Sequence, residues 1–358
     1  MASGGLSSVR DALLTASFYD IIDDDEFVLL YDAYSSKPIF PYWKFPRFSV
    51  DEWSDVECKT ELRFAKKHLP ELCECLGIPE KITCVQRTVC GGMEGLCILL
   101  KRLAYPCRYT DMVPRFGRNP TELCLIFNTM IDFIYDNHNH RLRSWDQFFL
   151  QPNQLYSYAE AVHRLGAPLG NCFGFIDGTV RGIARPQENQ RVMYNGHKRI
   201  HSIKFQSVVI PNGLIANLHG PFEGKRHDST MLQQTGTLNE LRKVAFHNGH
   251  PFCLYGDPAY PLGVNLQAPF KNIQLTPQMV FYSATMSEVR VAVEWLFGNI
   301  TNYFKFIDFK SQLQINLSSV GKFYIVCALL ENALTCLYGN IVSEKFEVQP
   351  PSLQDYFQ

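Results

Sequence analysis

Four carboxylates between positions 177 and 294 stand where an acid needs a reason to be. Asp177 follows two large apolar residues in Phe175-Ile176-Asp177-Gly178-Thr179, and Asp257 closes the apolar run Leu254-Tyr255-Gly256. An ionised acid on a strand expected to be buried is costly unless something pairs with it. Strand ends are also where α/β sheets place their ligand sites. Asp228 opens a helical run in Arg226-His227-Asp228-Ser229, and the helix dipole alone accounts for an acid there. Glu294 borders the apolar stripe Val289, Ala292, Val293, Leu296 and Ile300. Its ordinary reading is a pair with Arg290, four residues back and in the weaker orientation. Singly, each acid has a plain account. Together, four such groups can bind two divalent ions roughly 3.5–4 Å apart, which activate a water or a 3′-hydroxyl and stabilise the leaving oxygen of a phosphodiester. Oxygen-only ligands suit Mg²⁺, with Mn²⁺ as the other candidate.

The elements that must position these acids are legible around them. Residues 173–183 read as a strand broken by glycines, 202–210 as a second strand, and 214–218 as a third joined through Pro211-Asn212-Gly213, a tight hairpin signal. A helix is expected from Asp228 to about Arg242, a short strand over 252–255, and a helix over about 287–300 with Thr285-x-x-Glu288 as its capping box. The 36 residues between Asp257 and Glu294 (positions 258 to 293) leave room for a strand, a connection and a helix. Three strands followed by alternating helix and strand is the order of a ribonuclease H-like α/β domain.

The preceding segment reads as all-α. Leu96, Leu99, Leu100 and Leu103 recur at helix spacing and Pro106 stops that helix. A short helix over 109–116 ends at Gly117. The next begins with Asn119 as N-cap, Pro120 at the first position and Glu122 three after the cap, with Leu123, Ile126, Phe127, Met130, Ile131 and Ile134 as its apolar stripe. That layout is helix-turn-helix-like. The same layout also serves as a scaffold that binds nothing. Its outward face offers Thr121, Asn128 and Asp132 but no arginine, and seven basic residues against five acids over positions 90–143 make a weak DNA footprint. We therefore expect an N-terminal arm over 1–57 with one early helix at about 11–20 among scattered prolines (Pro38, Pro41, Pro46), a helical domain over 58–165, and the acid-bearing domain over 166–350.

Composition bounds the rest. Hydrophobic residues at 46% with 19% charged residues describe a chain that folds around a core and is not disordered. A net charge of −1 leaves any DNA contact to local patches or to a partner. The twelve cysteines lack metal or redox spacing, Cys73-x-Cys75 being the only close pair, which fits reduced thiols. The first ten residues carry no apolar leader. The oily run 323–330 is cut by Glu331 and Asn332, short of the roughly 20 residues a span needs, so no membrane is expected.

At the residues quoted, the chain resembles the PIF/Harbinger transposase-derived nucleases, DDE superfamily endonucleases. The matching stretches are Gly174-Phe175-Ile176-Asp177-Gly178-Thr179, Tyr194-Asn195-Gly196-His197-Lys198-Arg199 and Arg226-His227-Asp228-Ser229. Gly256-Asp257-Pro258-Ala259-Tyr260-Pro261 and Arg290-Val291-Ala292-Val293-Glu294-Trp295 follow in order, with Leu103-Ala104-Tyr105-Pro106 and Arg115-Phe116-Gly117-Arg118 in the helical half. The resemblance implies a metal-dependent DNA endonuclease with Asp177, Asp228, Asp257 and Glu294 as metal ligands, Asp177, Asp257 and Glu294 being the catalytic set. It also implies a separate Myb/SANT-like DNA-binding protein, a homodimer acting on paired DNA ends, and a nuclear, also cytoplasmic, location.

Between the first two acids the chain is basic, with Arg181, Arg185, Arg191, Lys198, Arg199, Lys204, Lys225 and Arg226. Lys198, Arg199 and Arg226 are candidates for DNA phosphate, against simple neutralisation of nearby acids. His197 and His227 read as structural or as an auxiliary ligand or acid. Two other functions stay open: a domesticated, catalytically silent DNA- or partner-binding protein, and a phosphodiesterase acting on RNA or small substrates.

Overall fold

The computed structural model describes residues 4–34, 40–247, 249–271 and 274–358. Pro38 lies outside the described residues. The N-terminal expectation is corrected. The single early helix is α1 (Gly4–Phe18), and a second helix, α2 (Asp24–Tyr34), follows it. Glu26 N–H donates to Asp23 Oδ1 at 2.7 Å and Asp23 N–H to Glu26 Oε2 at 3.3 Å, a reciprocal cap that starts α2.

The segment expected to be all-α is corrected by a two-stranded hairpin within it: it comprises α3 (Asp55–Leu62), α4 (Leu69–Cys75), the hairpin β1 (Lys81–Thr83) and β2 (Val89–Gly91), α5 (Gly92–Ala104), α6 (Tyr109–Phe116), α7 (Pro120–His138) and α8 (Pro152–Arg164). Leu96, Leu99, Leu100 and Leu103 are buried, as is the whole stripe of α7 from Leu123 to Ile134. The α7 cap forms as its residues predict: Thr121 N–H donates to Asn119 Oδ1 at 2.9 Å and Asn119 N–H to Glu122 Oε2 at 3.1 Å. Gly117, at φ +59°, ends α6 in the left-handed conformation. The far end of α7 does not face solvent freely. Lys322 pairs with Asp132 at 2.5 Å and Asp136 at 3.7 Å and lies over the Tyr135 ring.

A mixed sheet forms the second half, making the chain mixed α/β. Its elements are β3 (Cys172–Gly182), α9 (Gln190–Met193), β4 (Tyr194–Asn195), β5 (Ile200–Val209), β6 (Ile215–Glu223), α10 (Asp228–Thr235), α11 (Thr237–Val244), a small hairpin of β7 (Phe246–His247) and β8 (His250–Pro251), β9 (Cys253–Tyr255) and β10 (Leu266–Gln267). The order is β10-β9-β3-β5, with β6 paired along β5 and β4 at its start. β10, β9 and β3 run parallel, while β3, β5 and β6 are antiparallel neighbours. The helix expected from Asp228 to about Arg242 is two, because Gly236 takes φ +67° between them.

Four helices close the chain: α12 (Pro277–Tyr303), α13 (Val320–Tyr338), α14 (Ile341–Phe346) and α15 (Leu353–Phe357). α12 begins ten residues before its expected start. Thr276 caps it by accepting from Met279 N–H at 3.3 Å, and Thr285 sits inside it, donating to Phe281 O at 2.9 Å. Its early turns bury Met286 alone, so they carry no apolar stripe to read. α13 also corrects an expectation: it is long and apolar enough to cross a membrane by length and composition, although most of it is buried inside the fold. It packs against α7, β6 and α12, and one continuous hydrophobic cluster runs from Trp53 to Phe357.

Candidate functional site

Parallel pairing brings two of the acids side by side. Phe175 of β3 is in register with Tyr255 of β9, and Asp177 and Asp257 each lie two residues further along the same direction. Both therefore stand at the same end of the parallel pair, the end at which such sheets expose ligand sites. Asp228, first residue of α10, reaches them across Gly178. A Cβ on Gly178 would lie 2.7 Å from Asp228 Oδ1, so glycine there is what lets the carboxylate rest on the strand.

Each acid has a distinct set of partners. Asp177 Oδ1 accepts from Gly178 N–H at 2.8 Å and its Oδ2 from Arg290 Nη1 at 2.9 Å. Arg290 Nη2 also reaches Glu294 Oε1 at 3.3 Å, so one guanidinium on α12 bridges an acid of the sheet and an acid of its own helix. Glu294 is 57% exposed, against 16% for Asp177. The i, i+4 pair read from the sequence is present, and it shares its arginine with Asp177. The Lys204 ammonium pairs with Asp228 and donates to Arg226 O at 2.9 Å. Asp257 Oδ1 accepts from Ala259 N–H at 2.9 Å.

Burial pushes Asp177 up to about 6, outweighing Arg290 and the Gly178 amide, with Asp257 and Asp228 adding to the rise. Burial likewise raises Asp257, the Ala259 N–H opposing it and Asp228 adding. Tyr260 sits in the same field: buried, held well above its ordinary value by burial and then by Asp228, it accepts from Gln206 Nε2 at 3.1 Å. The three aspartates thus share one electrostatic environment with less positive charge than negative.

Hard divalent cations take oxygen ligands from such groups, and the donor chemistry of the three aspartates fits them. Gln206 Oε1, on the strand position opposite Gly178, is buried without a partner. Among the described residues no three acidic, histidine or cysteine groups close around one point, and Arg290 bridges Asp177 and Glu294.

The remaining sequence candidates are spread more widely. Lys198 and Arg199 are exposed on the turn between β4 and β5, Arg199 at φ +56°. Arg226 turns its guanidinium to Glu223, at 2.7 and 3.0 Å, rather than to the site. His197 and His227 are exposed, and the His227 side chain makes no cap bond to α10. The sequence places Lys204 only in a basic run and Tyr260 only in a motif, with no role at the site for either, and it leaves Gln206 unnamed. The signal was available: a lysine and a glutamine alternate with Ile203 and Phe205 on a strand rich in apolar residues, and neither is ordinarily buried.

Residues 176–332 match the family model described as DDE superfamily endonuclease. The match takes in all four acids, Arg290, and the sheet from β5 to β10. No curated protein and no solved structure matches the chain.

Proposed function

We propose that the protein is a metal-dependent DNA endonuclease derived from a transposase of the PIF/Harbinger group, built on a ribonuclease H-like core. The observation that carries this reading is the convergence of Asp177 and Asp257 at one end of two parallel strands, with Asp228 laid over Gly178. The family match over the same residues supports it. Asp177, Asp228 and Asp257 would hold divalent Mg²⁺ or Mn²⁺, with Glu294 completing the set. When bound, the ions would activate a water or 3′-hydroxyl and stabilise the leaving oxygen at a phosphodiester.

The chain's own groups do the positioning. Lys204 fixes Asp228, and the Gly178 amide fixes one oxygen of Asp177. Arg290 holds Asp177 and Glu294 by charge. Lys198 and Arg199, on an exposed turn, are free to meet DNA phosphates; Arg226 would have to leave Glu223 first. The α6–α7 unit is helix-turn-helix-like in order, yet α7 is tied to Lys322 along its outer face, which favours DNA reading by a separate Myb/SANT-like protein. A homodimer and a nuclear, also cytoplasmic, location belong to the same reading.

The test is nicking of supercoiled plasmid with Mg²⁺ or Mn²⁺, wild type beside Glu294→Gln. Nicking that requires metal and disappears in the variant supports the endonuclease. Arg290 also favours a second reading, a domesticated and catalytically silent DNA- or partner-binding protein, because a bound arginine substitutes for a cation between Asp177 and Glu294. That reading predicts DNA or partner binding that is unchanged when the acids are replaced, and no nicking even with the partner present.

A further inference from the structure

The first two helices leave outside the kind of side chain that the rest of the chain buries. On α1, Leu14 is 54% exposed and Phe18, one turn later, 81%. Ile21 in the connection is 72% exposed, and on α2 Val28 and Leu29 are 61% and 71% exposed. α1 and α2 pack on each other, with Leu13, Ala16 and Phe27 only half-buried. Helices this short are marginal on propensity alone, and most helical stability comes from burying an apolar face. Large apolar side chains left exposed in such number on one short hairpin mark an interaction surface.

Charge selects what covers it. Residues 4–34 contain seven acids, Asp20, Asp23, Asp24, Asp25 and Glu26 among them, against the single cation Arg10. Asp23 and Glu26 serve the α2 cap, while Asp24 and Asp25 are exposed in its first turn. The acids cluster at the turn end of the hairpin, so the exposed apolar side chains lie beside strong negative charge. Nucleic acid would be repelled by it. A second copy of the hairpin would set like charges against like. A basic helix with an apolar stripe satisfies both features, in the manner of an amphipathic helix lying on an apolar surface.

We propose that the α1–α2 hairpin is the docking surface for a lysine- and arginine-rich amphipathic helix of another protein. None of its residues is among those that hold the carboxylates, and the proposal does not depend on the nuclease reading.

The test uses the full chain and a labelled helical peptide of about 20 residues, long enough to present several turns, with leucines at helix spacing and lysine or arginine elsewhere. Two control peptides keep the leucine stripe with glutamate in place of the cations, or keep the composition in a scrambled order. Fluorescence anisotropy should show saturable binding of the basic amphipathic peptide alone, weakening as salt rises. Phe18→Ser with Leu29→Ser should weaken it by about tenfold or more, a loss readily resolved in a titration. Asp24→Asn with Asp25→Asn should remove most of the salt dependence. These positions are exposed, and an unchanged thermal midpoint in each variant would separate lost docking from lost fold. Equal binding of either control, no binding at all, or binding untouched by the variants would overturn the proposal. So would a sedimenting dimer that Leu29→Ser dissolves, which would make a second copy the occupant.

Discussion

Arg290 joins two acids that come from different elements, and its removal tests how the site manages its own charge. Asp177 is mostly buried and already raised toward neutrality, so losing its cation strands a carboxylate that desolvation penalises. We expect Arg290→Gln to destabilise the metal-free protein by about 2 kcal/mol, below the full cost of stranding a buried charge because Asp177 can take up a proton instead. Mn²⁺ should then raise the melting temperature more in the variant than in the wild type, because no guanidinium competes for Asp177. Calorimetry with and without Mn²⁺ reads both effects, and an equal metal response in the two proteins would count against the shared site. Gly178→Ala is a second probe at this scale. Its methyl would meet Asp228 Oδ1 at 2.7 Å and push the carboxylate off the strand. Plasmid nicking should fall by roughly a hundredfold, the scale that a misplacement of about 1 Å costs an active site, while circular dichroism stays unchanged.

Within single elements, α13 carries the clearest pH dependence. Glu331 is 1% exposed with Oε2 unpartnered, and burial alone pushes it up to about 8. Its folded value lies above its ordinary 4.5, so the folded state holds a proton that the unfolded chain releases. The stability this group allows is complete below about pH 4.5 and is lost as pH rises through about 8. Unfolding free energies of wild type and Glu331→Gln from urea titrations should therefore nearly coincide in acid and separate by a few kcal/mol in favour of the variant by pH 9. A constant difference across pH would show that the carboxyl is solvated. On α7 the expectation is smaller: Asn119→Ala removes the acceptor of Thr121 N–H and should cost about 1 kcal/mol, measured by the same titration.

At the level of the whole molecule, the C-terminal turn ties sheet and helices together. Asn332 on α13 donates to Ile215 O and accepts from Ile215 N–H, both at 2.9 Å, and donates to Tyr356 Oη at 2.8 Å. Arg141 at the end of the α7 region donates to the carbonyl of Tyr356 at 2.9 Å, and the Phe357 ring lies against His138. Tyr356→Ala would empty a fully buried site and deprive Asn332 of a partner, for a loss of about 3–5 kcal/mol. Because the core is continuous, tryptophan fluorescence and far-ultraviolet dichroism should fall in one shared transition. Separate transitions would mean that the helical half and the sheet unfold as independent units.

What the sequence determined by itself was local. The caps of α6 and α7, the hairpin at Pro211-Asn212-Gly213 and the strand positions of Asp177 and Asp257 follow from side-chain chemistry and period, which act over a few residues. Elements without such signals were hidden: the first turns of α12 bury almost nothing, and α1 and α2 show no clean period. Gly236 was visible as a residue, but whether it ends a helix depends on what the next turn packs against. Only the tertiary structure decided how the acids are held, because partners such as Lys204 for Asp228 and Arg290 for Asp177 lie 24 and 113 residues away in the chain. Whether a carboxylate is raised or paired depends on burial and on charges brought close by folding, and those distances are set by strand register and helix packing rather than by sequence separation.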